Sequence, residues 1–148
     1  MPVSSLRLTR RFAAPRERLF RAWTDPRQLS RWFRPAPDYL DTQAEVDLQV
    51  GGRYRLGMRK AQPEAPPSVV GGVYEEITPP ERLVFTWRWE GEQSGSDMRV
   101  TVEFLDHGGE TEIVLTHELF ASDQSRTQHA HGWEGCLGQL DAMLRASQ

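Results

Sequence analysis

Cysteine is almost missing from this sequence. A single thiol, Cys136, excludes an internal disulfide, and a reduced protein in the cytosol is the expected setting. No apolar run approaches the length needed to span a bilayer, so membrane insertion is not expected. The N-terminus is polar and arginine-rich with no apolar core, so no secretory leader is expected. Catalytic signatures are missing as well. No Gly-x-Ser-x-Gly elbow occurs, and no Ser-His-Asp set can be nominated. Neither Gly51-Gly52 nor Gly71-Gly72 leads into a helix carrying Lys-Ser/Thr, so they read as turn or bulge glycines and not as a phosphate loop. Of four histidines, His129 and His131 stand two apart and fall on different helix faces. Cys136, seven residues after His129, can share its face, but two ligands are short of the three or four that zinc takes. No metal site, cofactor or catalytic residue is nominated.

Charge is present but uneven. Residues 1–34 hold nine arginines against Glu17 and Asp25, a formal +7, while the remainder carries a formal −10. Such asymmetry suits an anionic partner or a solvated face, and no nucleic-acid motif accompanies it. Apolar residues make up 38% with five tryptophans and six phenylalanines, enough for a real core in one domain over 1–148.

The pattern centres on the last stretch. From Ser122 to Ala146, Trp133, Cys136, Leu137, Leu140, Met143 and Leu144 recur at helical spacing. Ser122 suits the N-cap and Asp123 the positive end of the dipole. Upstream the period is mostly two. Leu6, Leu8 and Phe12 mark a first strand, with Arg10 interrupting its apolar face. Ala14-Pro15 opens one short helix, with Pro15 expected at its first position. Asp25-Pro26 caps and starts another, which carries Leu29, Trp32 and Phe33 and ends by Pro35 and Pro37. Six strands follow: Ala44–Leu48, Tyr54–Met58, Val69–Ile77, Leu83–Glu90, Val100–Phe104 and Ile113–His117. Gly51-Gly52, 78–81, 91–96 and 106–109 are turns, 60–67 is a loop, and Gly71-Gly72 weakens its strand or marks a bulge. This is an α+β pattern: a curved antiparallel sheet of about seven strands receiving one long helix.

The inward aromatic set is Trp32, Phe33, Tyr54, Phe85, Trp87, Phe104 and Trp133. Together with Met58, Tyr74, His117, His129 and Leu137 these are the candidate ligand-binding residues. Tyr54, Met58, Trp87, His117 and Trp133 are expected to line one continuous pocket. The alternative is a filled core. His117 points inward by parity, either as a general acid/base or as a neutral core histidine. Parity is discordant among Val73, Tyr74 and Ile77, which leaves the direction of Glu76 open.

Several segments resemble a known family: Ala14-Pro15-Arg16-Glu17, Ala22-Trp23-Thr24-Asp25-Pro26, Arg31-Trp32-Phe33, Gly51-Gly52-Arg53-Tyr54, the stretch from Glu76 to Leu83, Leu115-Thr116-His117-Glu118 and Gly132-Trp133. They are similar to the family named after the activator of the ninety-kilodalton heat-shock protein ATPase. That family lies within the START-related (SRPBCC), birch-pollen-allergen-like helix-grip superfamily. The resemblance implies a helix-grip fold with a hydrophobic cavity. It does not imply one activity, since the superfamily includes lipid carriers, cyclases and aromatases, and a co-chaperone domain. The chaperone activators resemble this chain only in their C-terminal half, and 148 residues leave no room for their separate N-terminal domain. Where the family commonly has Asp-x-Arg before the glycine pair, this chain has Asp47-Leu48-Gln49, so a role for that Arg is not carried over. Three readings follow. The first is a cytosolic module for a small apolar or aromatic molecule. The second is a cofactor-independent cyclase/aromatase- or hydrolase-like enzyme using His117. The third is a chaperone-interacting module, with a protein partner or homodimer left open.

Overall fold

The computed structural model describes residues 5–62, 64–91 and 97–146. Strand β1 (Ser5–Phe12) leads into helices α1 (Arg16–Thr24) and α2 (Pro26–Trp32). Strands β2 (Gln43–Val46), β3 (Arg53–Met58), β4 (Ser68–Thr78), β5 (Arg82–Trp89), β6 (Met98–Asp106) and β7 (Thr111–Glu118) follow, and α3 (Asp123–Ala146) closes the chain. The seven strands form one curved antiparallel sheet in the order β1-β7-β6-β5-β4-β3-β2, with β1 and β2 at its edges. The turn expected over 91–96 lies, beyond Gly91, outside the described residues.

Helix α3 has the expected N-terminus: Ser125 N–H bonds to Ser122 Oγ at 3.1 Å, and Arg126 N–H to the Ser122 carbonyl. Trp133, Cys136, Leu137, Leu140 and Leu144 are buried on one stripe, with Met143 packed partly against the same core. Arg10, on the inward parity of β1, is met by Asp141 of α3 at 3.5 Å, which accounts for a charge on that face. Asp25 caps α2 through the Arg27 N–H at 2.9 Å, with Pro26 as the first helical residue. Pro15 stands at the N-cap of α1, one place before the expected position.

Two strand expectations are corrected. The second strand ends at Val46, and Leu48 is exposed. Residues 47–52 curl into a turn instead, with Gln49 N–H bonded to the Asp47 carbonyl, Gly52 N–H to the Gln49 carbonyl, and Gly51 at φ 87°. In β4 the irregularity is not at the glycines. Register is regular from Val70↔Trp89 to Tyr74↔Phe85 and shifts at Glu76↔Val84, so Glu75 is the extra residue of a bulge. The bulge resolves the discordant parity, because Tyr74 and Ile77 both face the core on either side of it. Glu76 lies half-exposed, held by Arg82 Nε at 3.2 Å and the Thr78 hydroxyl at 2.9 Å. Gly71 and Gly72 serve close packing: a Cβ at Gly71 would sit 2.7 Å from the Tyr54 carbonyl, and one at Gly72 would strike the Thr86 carbonyl.

Candidate functional site

The apolar interior has two halves. Under α1, α2 and the C-terminal half of α3 it is solidly packed, with Trp32, Phe104 and Leu140 essentially inaccessible to solvent. Under the N-terminal half of α3 lies a cavity of about 650 Å³. Its walls come from β3 (Met58), β5 (Trp87, Trp89), β6 (Met98), the loop after α2 (Phe33, Tyr39) and α3 (Ser125, His129, Trp133, Cys136). Exposed Leu119, Ser122, Gln124 and Gln128 frame the mouth.

Three rings in mutual contact make the floor. Phe33 meets Trp87 at 6.1 Å and Trp133 at 5.7 Å between centroids, and Trp87 meets Trp133 at 5.1 Å. Behind this floor Tyr54, Tyr74 and Phe85 surround a separate void of about 20 Å³, room for one water. Both Tyr54 and Tyr74 have phenols pushed upward by burial, so they stay protonated at neutral pH.

The single continuous pocket expected from parity is therefore divided. Phe33, Met58, Trp87, His129 and Trp133 border the large cavity. Tyr54, Tyr74 and Phe85 border only the small void, because the three-ring floor shuts them off. Trp32, Phe104 and Leu137 belong to the packed half. His117 points inward as parity indicates, but it borders neither space, lying behind Trp87 and Trp133 with Phe120 stacked on it at 4.4 Å. Trp133 Nε1–H donates to its Nδ1 at 3.0 Å, which puts the ring proton on Nε2. Desolvation, with a smaller contribution from His129, pushes the His117 pKa down to about 2.

His129 is also tied down. Its Nε2 accepts from Trp89 Nε1–H at 2.9 Å, so its proton is on Nδ1 and is donated to the Ser125 carbonyl at 2.7 Å. Cys136 borders the cavity as a neutral thiol, its pKa raised by burial. Among the described residues, no three His, Cys, Asp or Glu side chains gather as metal ligands.

The family described as "Activator of Hsp90 ATPase homolog 1-like protein" matches residues 13–145. The chain belongs to that family. Among its relatives is the human "Activator of 90 kDa heat shock protein ATPase homolog 1", 24% identical over 135 residues. That match covers 90% of this chain but 35% of the human protein, so the chain spans about a third of that relative's length. The AHSA1 protein of Silicibacter pomeroyi is similar in structure with a TM-score of 0.85, 25% identity, and 98% and 100% of the two chains covered. An HSP90 activator from Plasmodium falciparum matches with a TM-score of 0.76, 29% identity, and 95% and 96% covered.

For this member of the Activator of Hsp90 ATPase homolog 1-like family, the candidate set reached Phe33, Met58, Trp87, His129 and Trp133 of the cavity wall and missed most of the rest, among them Tyr39, Trp89, Met98, Ser125, Gly132 and Cys136. Trp89 shares the inward parity of Trp87, and Met98 lies opposite Trp87 in the β5–β6 register. Gly132 had its own signal. Gly132, Gly135 and Gly138 recur every third residue in a helix, where glycine is costly unless something needs the space. At Gly135 a Cβ would strike the Pro35 carbonyl, whereas at Gly132 it meets nothing within 4 Å.

Proposed function

We propose that this chain is a binding module for a small apolar or aromatic molecule, held in the cavity beneath the N-terminal half of α3. The observation that carries this reading is the cavity of about 650 Å³ floored by Phe33, Trp87 and Trp133. Its size and its mainly apolar wall suit a compact organic ligand. The whole of residues 1–148 acts as one domain in this reading, and the lone reduced thiol supports a cytosolic setting. No helix among the described residues is long and apolar enough to cross a membrane. The position of His117 supports a carrier over an enzyme. A general acid/base must reach the reacting group, and this ring is shut behind two indoles.

The test is a fluorescence titration with planar aromatic probes, following emission from Trp87, Trp89 and Trp133. Wild-type emission should shift saturably. Gly132→Leu, which places a side chain into the free space beside that helix position, should abolish the shift while keeping the far-UV CD spectrum. Absence of any shift across a broad probe panel would refute the reading.

A second reading, a chaperone-directed interaction module, is favoured by the two relatives described as activators of the 90 kDa heat shock protein or its ATPase. For a contact surface, Arg21, Arg27 and Arg31 of α1 and α2 are exposed and make no ion pair among the described residues. An ATPase assay of the chaperone with and without this chain decides it, and an unchanged rate removes this reading.

A further inference from the structure

Polar groups are spread unevenly along the cavity. At its inner end they are already spent. Trp133 gives its N–H to His117, and His129 uses both ring nitrogens, on Trp89 and on the Ser125 carbonyl. The Trp87 nitrogen is itself buried, so a molecule in the cavity does not reach it. The floor of Phe33, Trp87 and Trp133 thus offers ring faces and edges but no free donor or acceptor. Beside it Cys136 adds only a neutral thiol, a weak donor.

The mouth is the opposite. Gln124 and Gln128 stand one helical turn apart on α3, both border the cavity and both are exposed. Neither side-chain amide makes a hydrogen bond among the described residues. Ser68, at the start of β4, borders the cavity and is exposed as well. Tyr39 is half-exposed, with the Lys60 ammonium 6.0 Å from its ring centroid, and lies toward solvent too.

A ligand hydroxyl or carbonyl driven onto the floor would lose its water and gain no partner, which is costly. At the mouth the same group keeps water and meets free amides. Resting on the reading of the cavity as a ligand site, we propose that it takes aromatic amphiphiles that are polar at one end only. The ring system lies on Phe33, Trp87 and Trp133, and the hydroxyl or carbonyl stays at the mouth beside Gln124 and Gln128. A molecule polar at both ends is rejected, because either orientation buries one unpaired polar group.

Two isomers of one composition test this. 2,3-Dihydroxynaphthalene carries both hydroxyls at one end of its rings, whereas 2,6-dihydroxynaphthalene carries one at each end. The 2,3 isomer should bind about tenfold or more tightly than the 2,6 isomer, read from tryptophan emission. A second readout gives direction. Fluorenone has its carbonyl on one long edge, so the ring protons on the opposite edge should show the stronger NOEs to the Trp87 and Trp133 indoles. Equal affinities for the two isomers would overturn the proposal and leave the cavity reading standing. So would NOEs to those indoles only from the protons flanking the carbonyl. Failure of both isomers and of fluorenone to bind would overturn both.

Discussion

Trp133 donates its indole N–H to Nδ1 of His117 at 3.0 Å, joining the long helix to the last strand inside the core. The bond requires a neutral imidazole accepting at Nδ1. Its other nitrogen, Nε2, is buried without a partner. Phe120, Trp87, Trp133 and His129 surround the ring, and His129 is the one titratable group among them.

A pH dependence follows. Unfolded, His117 takes a proton near its ordinary value of 6.5, while folded it resists protonation down to about 2. Protons therefore favour the unfolded chain. The full stability is present above about pH 6.5 and is lost as pH falls, by up to about 1.4 kcal/mol per pH unit. His117→Gln can still accept from Trp133 but does not titrate. In urea melts, wild type should lose about 2 kcal/mol more than His117→Gln between about pH 7.5 and about pH 5. Parallel profiles would show that His117 is protonated in the folded protein.

The glycines of α3 should respond in opposite directions. Gly132→Ala adds a methyl group to open space and a better helix former, and should stabilise by about 0.5–1 kcal/mol. Gly135→Ala forces a methyl group against the Pro35 carbonyl and should destabilise by about 1–3 kcal/mol. Thermal melts of the two variants check the sign, and a stabilised Gly135→Ala would contradict the helix–loop packing.

Leu119, at the cavity mouth, has a φ of 73° and is 52% exposed. The left-handed region costs a leucine roughly 1–2 kcal/mol. Leu119→Gly removes a whole side chain, yet should leave stability unchanged or raised. Leu119→Val, β-branched at the same φ, should lower it by about 1 kcal/mol or more. Denaturant midpoints compare the two.

Cys136 should be slow to react with an uncharged alkylating reagent in the native state at neutral pH, because burial raises its thiol pKa. Full reactivity should return in denaturant. A planar ligand in the cavity should slow the native reaction further, which mass spectrometry of the alkylated fraction reads directly.

The sequence was most legible where one residue's period decides its direction. The inward turn of Trp87 and His117, the stripe on α3 and the caps at Ser122 and Asp25 follow from period and local chemistry. Glu75 was harder. A bulge inserts one residue without its own composition signal, and discordant parity around Tyr74 was its only trace. Leu48 was misplaced because alternation continues into a turn that backbone bonds define. The division of the interior was not legible at all. Parity says which side chains face inward. It does not say that Phe33, arriving from the loop after α2, closes with Trp87 and Trp133 into a floor. That depends on contacts far apart in the chain.

On the proposed reading, the space beneath α3 holds a small aromatic molecule. The most direct measurement is methyl NMR of protein labelled at its methionine methyl groups, with fluorenone bound. Met58 and Met98 border the cavity, while Met143 packs elsewhere on the core. Intermolecular NOEs from the aromatic protons of the ligand to Met58 and Met98, with none to Met143, are expected. NOEs to Met143 alone, or saturable binding with no NOE to Met58 or Met98, would contradict the claim.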